Sequence, residues 1–395
     1  MMRPVNTTHD LRAAVAGALS WCEVSRGALE HNARELKRML QPHSMLAPVV
    51  KGNAYGHGTV TAARAFVSGG ADWLCVFDLD EARELRAAGI HQPICVLGRV
   101  PDCRMAEAIA LQTRLVVFDF PNAQAAAAAA HEAGSLALLH VEVETGNHRQ
   151  GLDPGPAFEL CRAIAHLPGA KLEGVATHFA DVEDTTDHTY ARSQLAQFDD
   201  LLSALSAHSI LPEVIHCSNS AAAILWPQAH RSLVRTGIAA YGMWPSKETF
   251  VSALMAHRHT LDLRPALVWK ARVVQVRDVA AGAYIGYGRT FRTTHTTRLA
   301  TLAVGYRDGY DRHLSNRAHV LLGGVRAPVR GRVCMNLLMV DVTDTPPVHV
   351  DDAAVLLGQD SEDRITAEQL AEWTGTINYE VTTRISDRLA RLEVP

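Results

Sequence analysis

Between residues 45 and 235, short apolar runs rich in Val, Ile and Leu alternate with longer stretches whose apolar positions recur every three or four residues. The first pattern suits a strand buried on both faces, the second an amphipathic helix that covers it. Strands are expected at residues 45–51, 72–77, 93–97, 115–119, 136–144, 172–179, 213–217 and 232–235, with helices over stretches such as 80–88, 122–133 and 190–208. The alanine run at 125–130 reads as helix rather than disorder, because alanine is the strongest helix former. Eight strand–helix units predict a (β/α)8 barrel across residues 21–250, with its chemistry at the C-terminal ends of the strands. Lys51, Arg149, His178, Ser220 and Arg235 fall at or just after such ends.

After residue 250 the rhythm changes to strands separated by turn signals, at 267–276, 298–304, 319–322, 325–329 and 335–342. Gly323-Gly324 is placed to make a tight hairpin turn. Residues 251–395 are therefore expected to form a separate, mainly-β C-terminal domain. Residues 1–20 are expected to be an N-terminal extension rather than a secretion signal, since Asp10 and Arg12 interrupt the apolar stretch and bulky Trp21 precedes Cys22.

Composition narrows the function. With 48% hydrophobic and 20% charged residues, a net charge of −4 and no long block of one sign, the chain suggests neither nucleic acid nor a membrane surface as partner. No run approaches the roughly 18 apolar residues that span a bilayer. The seven cysteines are scattered and odd in number, and they read as buried thiols in a reducing compartment, which points to the cytoplasm. Neither Cys-x-x-Cys nor His-Glu-x-x-His occurs, and the histidines do not cluster with carboxylates at ligand spacing, so no metal site is expected. Small-molecule chemistry is the remaining default.

Lys51 is the most informative residue of that chemistry. Of 38 basic residues only five are lysines, so Lys51 is no part of a solvated basic face. It ends the run Pro48-Val49-Val50 and is followed at once by Gly52-Asn53-Ala54-Tyr55-Gly56-His57-Gly58. A partly desolvated amine at a strand end has a lowered pKa and can form a Schiff base, while a glycine-rich turn and a tyrosine can approach a phosphate. By itself the segment equally fits a lysine that merely ends a buried strand.

Further motifs occur in order along the chain: Thr177-His178-Phe179-Ala180, Asn219-Ser220-Ala221-Ala222, Arg235-Thr236-Gly237-Ile238, Gly286-Tyr287-Gly288, Gly305-Tyr306-Arg307-Asp308-Gly309-Tyr310, Gly331-Arg332-Val333-Cys334-Met335 and Thr376-Ile377-Asn378-Tyr379-Glu380. Together with the Lys51 segment they resemble the alanine racemase family of pyridoxal-phosphate enzymes, from Trp21 almost to the C-terminus. The resemblance implies that Lys51 carries the cofactor, pyridoxal 5'-phosphate, and that Tyr55, Ser220, Gly237, Ile238 and Tyr379 hold its phosphate. Taken singly, Ser220 also suits a helix cap and Gly237 a simple turn. Arg235 matches the arginine that faces the pyridine nitrogen, where a permanent positive charge disfavours a second one.

Racemisation removes a proton from one face of Cα and returns it on the other, which requires a second acid/base opposite Lys51. Tyr287 matches that base, and the resemblance implies that it reaches the barrel of a second subunit, giving a homodimer with shared active sites. A tyrosine's ordinary pKa near 10 means that it needs help at neutral pH, and His178 matches the residue that links it to Arg235. Arg149 and the Met335 N–H match the groups that grip the substrate carboxylate. Tyr306 and Tyr379 match a narrow gate, although two tyrosines packed at a subunit interface would look the same.

Two positions depart from the pattern. Glu142 stands where many members have a lysine, often carbamylated, that orients the arginine here numbered 149; Glu142 is expected to supply that negative charge directly. Asn336 stands where alanine-selective members usually carry aspartate. The expected function is therefore interconversion of L- and D-alanine, with a serine-using or broader-specificity racemase as the alternative. A decarboxylase of the same barrel type would be expected to lack the Tyr287 and Arg235 pair, and a non-catalytic cofactor-binding barrel would have no use for the β domain.

Overall fold

The structure, a computed structural model, describes residue 15, residues 17–257 and residues 260–395. Most of the expected N-terminal extension, residues 1–14 and 16, lies outside the described residues. The chain divides into two compact units.

The first described strand, β1 (Ser20–Ser25), does not open the barrel. It pairs antiparallel with residues 267–271 and parallel with residues 390–394, so it belongs to the β unit, and the barrel unit starts at Ala28 rather than at residue 21. The sequence gives little warning, because these partners lie more than 240 residues away.

The barrel unit contains the eight expected strands: β2 (Met45–Leu46), β3 (Leu74–Val76), β4 (Ile94–Val96), β5 (Thr113–Val117), β6 (Ala137–Glu142), β7 (Ala170–Ala176), β8 (Val214–His216) and β9 (Leu233–Val234). Strands β3 to β8 form one parallel sheet in chain order, and β2 pairs in parallel with β9. Closure comes from a parallel bridge between Val49 and Cys75 on one side and from Ser232 N–H donating to the Ile215 carbonyl (3.2 Å) on the other. Every barrel edge is thereby paired, which leaves no open strand to aggregate.

The expected helices form within one or two residues of their predicted bounds, as Leu79–Ala87, Phe120–Glu132 and Thr189–Ala207. Two are capped by aspartates that the hydropathy pattern does not use: Asp78 accepts from Asp80 and Glu81 N–H, and Asp119 from Asn122 N–H. Ala126, Ala127 and Ala130 turn inward, so the alanine run is a packed helix face.

The β unit is built on β10 (Leu267–Val279), with β11 (Tyr284–Ile285), β12 (Phe291–Arg292), β13 (Thr297–Leu302), β14 (His319–Leu322), β15 (Val325–Pro328), β16 (Leu338–Asp341), β17 (Ala353–Asp360), β18 (Asp363–Ile365) and β19 (Ala390–Val394). In β10 burial alternates as far as Val273 and then gives way to exposed positions. A register shift between Val273 and Gln275 passes the strand from β1 and β17 to β13. The Gly323-Gly324 turn joins β14 to β15 with φ of 61° and 78°, the doubly left-handed geometry that two glycines adopt without strain. Strands β17 and β19 were not legible in the polar and apolar pattern.

Among the described residues no helix is long and apolar enough to cross a membrane. All seven cysteines are free thiols. Five are buried as expected, but Cys103 is exposed on a short 3-10 turn and Cys334 half-buried in a loop, both outside the apolar strand runs.

Candidate active site

Lys51 lies at the C-terminal end of the first barrel strand, directly after Val50, whose N–H donates to the Cys75 carbonyl (2.8 Å). The chain then makes a left-handed turn: φ is 62°, 52°, 52° and 53° at Gly52, Asn53, Ala54 and Tyr55. For the three non-glycine residues this costs roughly 1–2 kcal/mol each, so the surroundings must hold it. Glu81 does so by accepting from Gly52 N–H (2.7 Å) with one oxygen and from Phe77 N–H (2.7 Å) with the other, while Asn53 accepts from Thr59 N–H (3.1 Å). Desolvation pushes the Lys51 amine below its ordinary pKa, and the charges of Arg149 and Arg235 push the same way against the opposing pull of Glu81. The result is an amine biased toward its neutral, nucleophilic form.

Arg235 follows β9 and is buried. Its guanidinium donates to the Thr177 carbonyl (2.9 Å), the His216 carbonyl (3.1 Å) and His216 Nδ1, and His178 Nδ1 lies 3.5 Å away. His178 is held well below the usual histidine range, first by desolvation and then by Arg235, Arg149 and Lys51. It is therefore a neutral ring among cations.

Ser220 starts the helix Ser220–Leu225, but Asn219 is the cap, accepting from Ala222 N–H (2.9 Å). That frees the Ser220 hydroxyl to accept from Gly237 N–H (2.9 Å) and Ala239 N–H (3.3 Å), which ties together the ends of the seventh and eighth barrel strands. Arg149 is exposed on a loop that Glu144 organises: its carboxylate accepts from the N–H groups of Gly146, Asn147 (2.5 Å) and Arg149 (3.3 Å). Glu142 is buried at the end of β6. Burial raises its pKa, and the opposing charges are Arg235 first and Arg149 second.

The β unit gathers a different group. The Tyr55 and Tyr379 rings stand with centroids 6.0 Å apart. Arg391 donates to the Gly56 carbonyl (2.8 Å) and to the carbonyls of Ser386, Leu389 and Ile385 (2.9 Å each), pinning the turn that carries Tyr55 to the last strand. Tyr306 N–H donates to the Cys334 carbonyl (3.1 Å) and Arg307 N–H to that of Met335 (3.0 Å), so the two motifs carrying Tyr306 and Met335 are neighbours. Tyr287 begins a short 3-10 turn after Gly286 and is 68% exposed.

Family models for the alanine racemase N-terminal domain and the alanine racemase C-terminal domain match residues 24–245 and 266–393. The alanine racemase of Desulfovibrio desulfuricans is 40% identical over 374 residues, covering 95% of this chain and 98% of that one, and the alanine racemase of Syntrophobacter fumaroxidans is 43% identical over 92% and 94%. The structure of alanine racemase from Streptomyces coelicolor superposes with a TM-score of 0.89 at 33% identity, over 96% of this chain and 99% of that one. The chain belongs to the alanine racemase family. It is accordingly an isomerase of the racemase kind, with that family's barrel followed by its β domain.

Within the barrel unit the structure brings Lys51, His178, Arg235 and Arg149 into mutual electrostatic range and joins Ser220 to Gly237. Sequence reading overlooked Glu81, Glu144, His140, His216 and Glu173. Of these only His140 left a local signal, since it alternates with Glu142 along one barrel strand and polar residues at such spacing line its interior.

The buried histidines set an acid limit on stability. His140 and His216 are held down first by desolvation, as His178 is. A histidine whose folded pKa is depressed binds its proton more readily when unfolded, so stability is lost as pH falls below about 6.5 toward the folded value. Glu81 and Glu142, raised by burial, act in the opposite direction, but two of the histidines are shifted well below their ordinary value. We expect the calorimetric Tm to be level above about pH 7 and to decline from about pH 6.5 to 5. A Tm that rises over that interval would contradict this electrostatic picture.

Proposed function

We propose that the protein interconverts L- and D-alanine with pyridoxal 5'-phosphate, by a two-base mechanism, as a cytoplasmic homodimer. The observation that carries the proposal is Lys51, an amine pushed toward its neutral form at a barrel strand's C-terminal end, in range of two arginines. The donor set suits the cofactor. Arg149 and Arg235 both disfavour a charge on Lys51, and an anionic ligand would offset their positive field there; Ser220, Gly237 and Ile238 follow the seventh and eighth barrel strands, where this barrel type commonly binds phosphate. Tyr55 and Tyr379 would add their hydroxyls to the phosphate grip.

When bound, pyridoxal phosphate holds the substrate's amine and takes up the electrons left at Cα. Lys51 removes or returns the Cα proton on one face, and Tyr287 of the partner subunit does so on the other. Arg235 keeps the pyridine nitrogen from gaining a second positive charge, which restrains side reactions that need a stronger electron sink. His178 joins Arg235 to the tyrosine base, Arg149 and the Met335 N–H orient the substrate carboxylate, and Tyr306 and Tyr379 limit side-chain size. The test is a chiral assay of cofactor-loaded protein with alanine, serine and larger amino acids, following carbon dioxide in parallel. Inversion of alanine is expected; carbon dioxide release without inversion would point to a decarboxylase. Asn336, exposed beside Met335, favours serine or broader use as the second reading.

Glu142 takes the place of the carbamylated lysine as a buried carboxyl group within electrostatic range of Arg235 and Arg149. Activity is thus expected to be independent of bicarbonate, and Glu142→Gln to raise the KM for alanine by weakening the grip on its carboxylate. Steady-state kinetics unchanged in Glu142→Gln would remove Glu142 from the site.

A further inference from the structure

Arg235 is buried, yet its hydrogen-bond partners are histidine rings and main-chain carbonyls, with no carboxylate among them. From His216 a hydrogen-bonded line continues through the barrel interior. His216 Nε2 lies 2.7 Å from His140 Nδ1, His140 Nε2 lies 3.0 Å from Glu173 Oε2, and Arg114 Nε donates to the same Glu173 oxygen at 3.2 Å. His140 and His216 are both fully buried, and Trp73 packs on the His140 ring at 5.9 Å while Arg114 lies over Trp73 at 4.9 Å. Gly174 makes the line possible, because a Cβ there would stand 2.4 Å from His140 Nδ1.

The two ends of the line permit one order of protons. A guanidinium has donors and no acceptor, so His216 Nδ1 must be the unprotonated nitrogen that receives Arg235. An ionised carboxylate has acceptors and no donor, so His140 Nε2 must carry its proton toward Glu173. Between them, His216 Nε2–H donates to His140 Nδ1, and both rings are neutral. Burial raises the Glu173 carboxyl, but the His140 hydrogen bond and the Arg114 charge pull it below its ordinary value, in keeping with an ionised end.

We propose that Glu173 is a positioning residue for Arg235: through His140 and His216 it fixes the proton order that presents an acceptor to the guanidinium, and so holds Arg235 in place from two hydrogen-bonded rings away. The effect on turnover rests on the role of Arg235 proposed above; the proton order does not.

Neutron diffraction from the perdeuterated protein reads the order directly. Deuterium is expected on Nε2 of both His140 and His216 and on neither Nδ1, and deuterium on either Nδ1 would overturn the proposal. The functional arm compares two variants of similar volume. Glu173→Leu removes the terminal acceptor and is expected to lower kcat about tenfold, the lower range for losing a partner that orients a site residue, with KM for alanine within about twofold. Glu173→Gln keeps an acceptor and is expected to retain most of the turnover. Unchanged kcat in Glu173→Leu, or equal losses in both variants, would overturn the proposal. Failure of the wild-type protein to racemise would sink the functional reading while leaving the neutron result to be judged alone.

Discussion

Lys51→Ala is expected to lose racemisation entirely, together with the yellow colour that the cofactor-loaded protein should show. An amine with a lowered pKa at this strand end is the group able both to attach a carbonyl cofactor and to accept a proton at neutral pH. Neither function passes to a neighbour: the guanidinium groups of Arg149 and Arg235 are donors without a nucleophilic lone pair, and the other four lysines, 37, 171, 247 and 270, lie elsewhere in the chain. Three of them form ion pairs, Lys37 with Asp72 (2.6 Å), Lys171 with Glu213 (3.2 Å) and Lys270 with Glu23 (2.8 Å). Borohydride reduction followed by peptide mapping checks the assignment. The cofactor should be fixed to the peptide containing Lys51, and its appearance on any other lysine would displace Lys51 from its role. The left-handed turn that follows gives a related expectation, since Glu81→Ala would free the N–H groups of Gly52 and Phe77 and loosen the cofactor.

Tyr287→Phe is expected to stop inversion while sparing half of the chemistry. Lys51 still removes and returns a proton on its own face, so one enantiomer of alanine should exchange its Cα proton with deuterium oxide without changing hand. Proton NMR of each enantiomer, incubated separately, reads this directly. Equal loss of exchange for both enantiomers would argue for a single shared base. The side chain is 68% exposed on its own subunit, which suits a residue whose work is done against another chain.

The sequence carried the barrel because eight short apolar runs must each be covered on both faces, and the helix pattern between them supplies the cover. It carried less of the β unit. Strand β1 is indistinguishable locally from a barrel strand, and only its pairing with β10 and β19 assigns it. Strand β17 reads Ala353-Ala354-Val355-Leu356-Leu357-Gly358, a run with no alternation, because Ala354, Val355, Leu356 and Leu357 are all buried. At the site, strand-end residues such as Lys51 and Arg235 stood out because charge at the end of an apolar run is costly without a purpose. The supporting groups did not. Glu81 sits in the first turn of a helix, where an acidic residue is ordinary, and Glu173 and His140 join only when two strands lie side by side. The left-handed turn was hidden for a different reason: Asn53, Ala54 and Tyr55 have no preference for it, and the surrounding hydrogen bonds impose it.

The central claim is that each site takes one base from each of two chains, and mixing subunits tests it most directly. Lys51→Ala and Tyr287→Phe proteins should each be inactive in racemisation. After dissociation and reassociation in equal amounts, half of the dimers are mixed and each of those holds one complete site, so activity should return to roughly a quarter of the wild-type value. Mixed dimers that form, as shown by native mass spectrometry, and yet stay inactive would contradict the account.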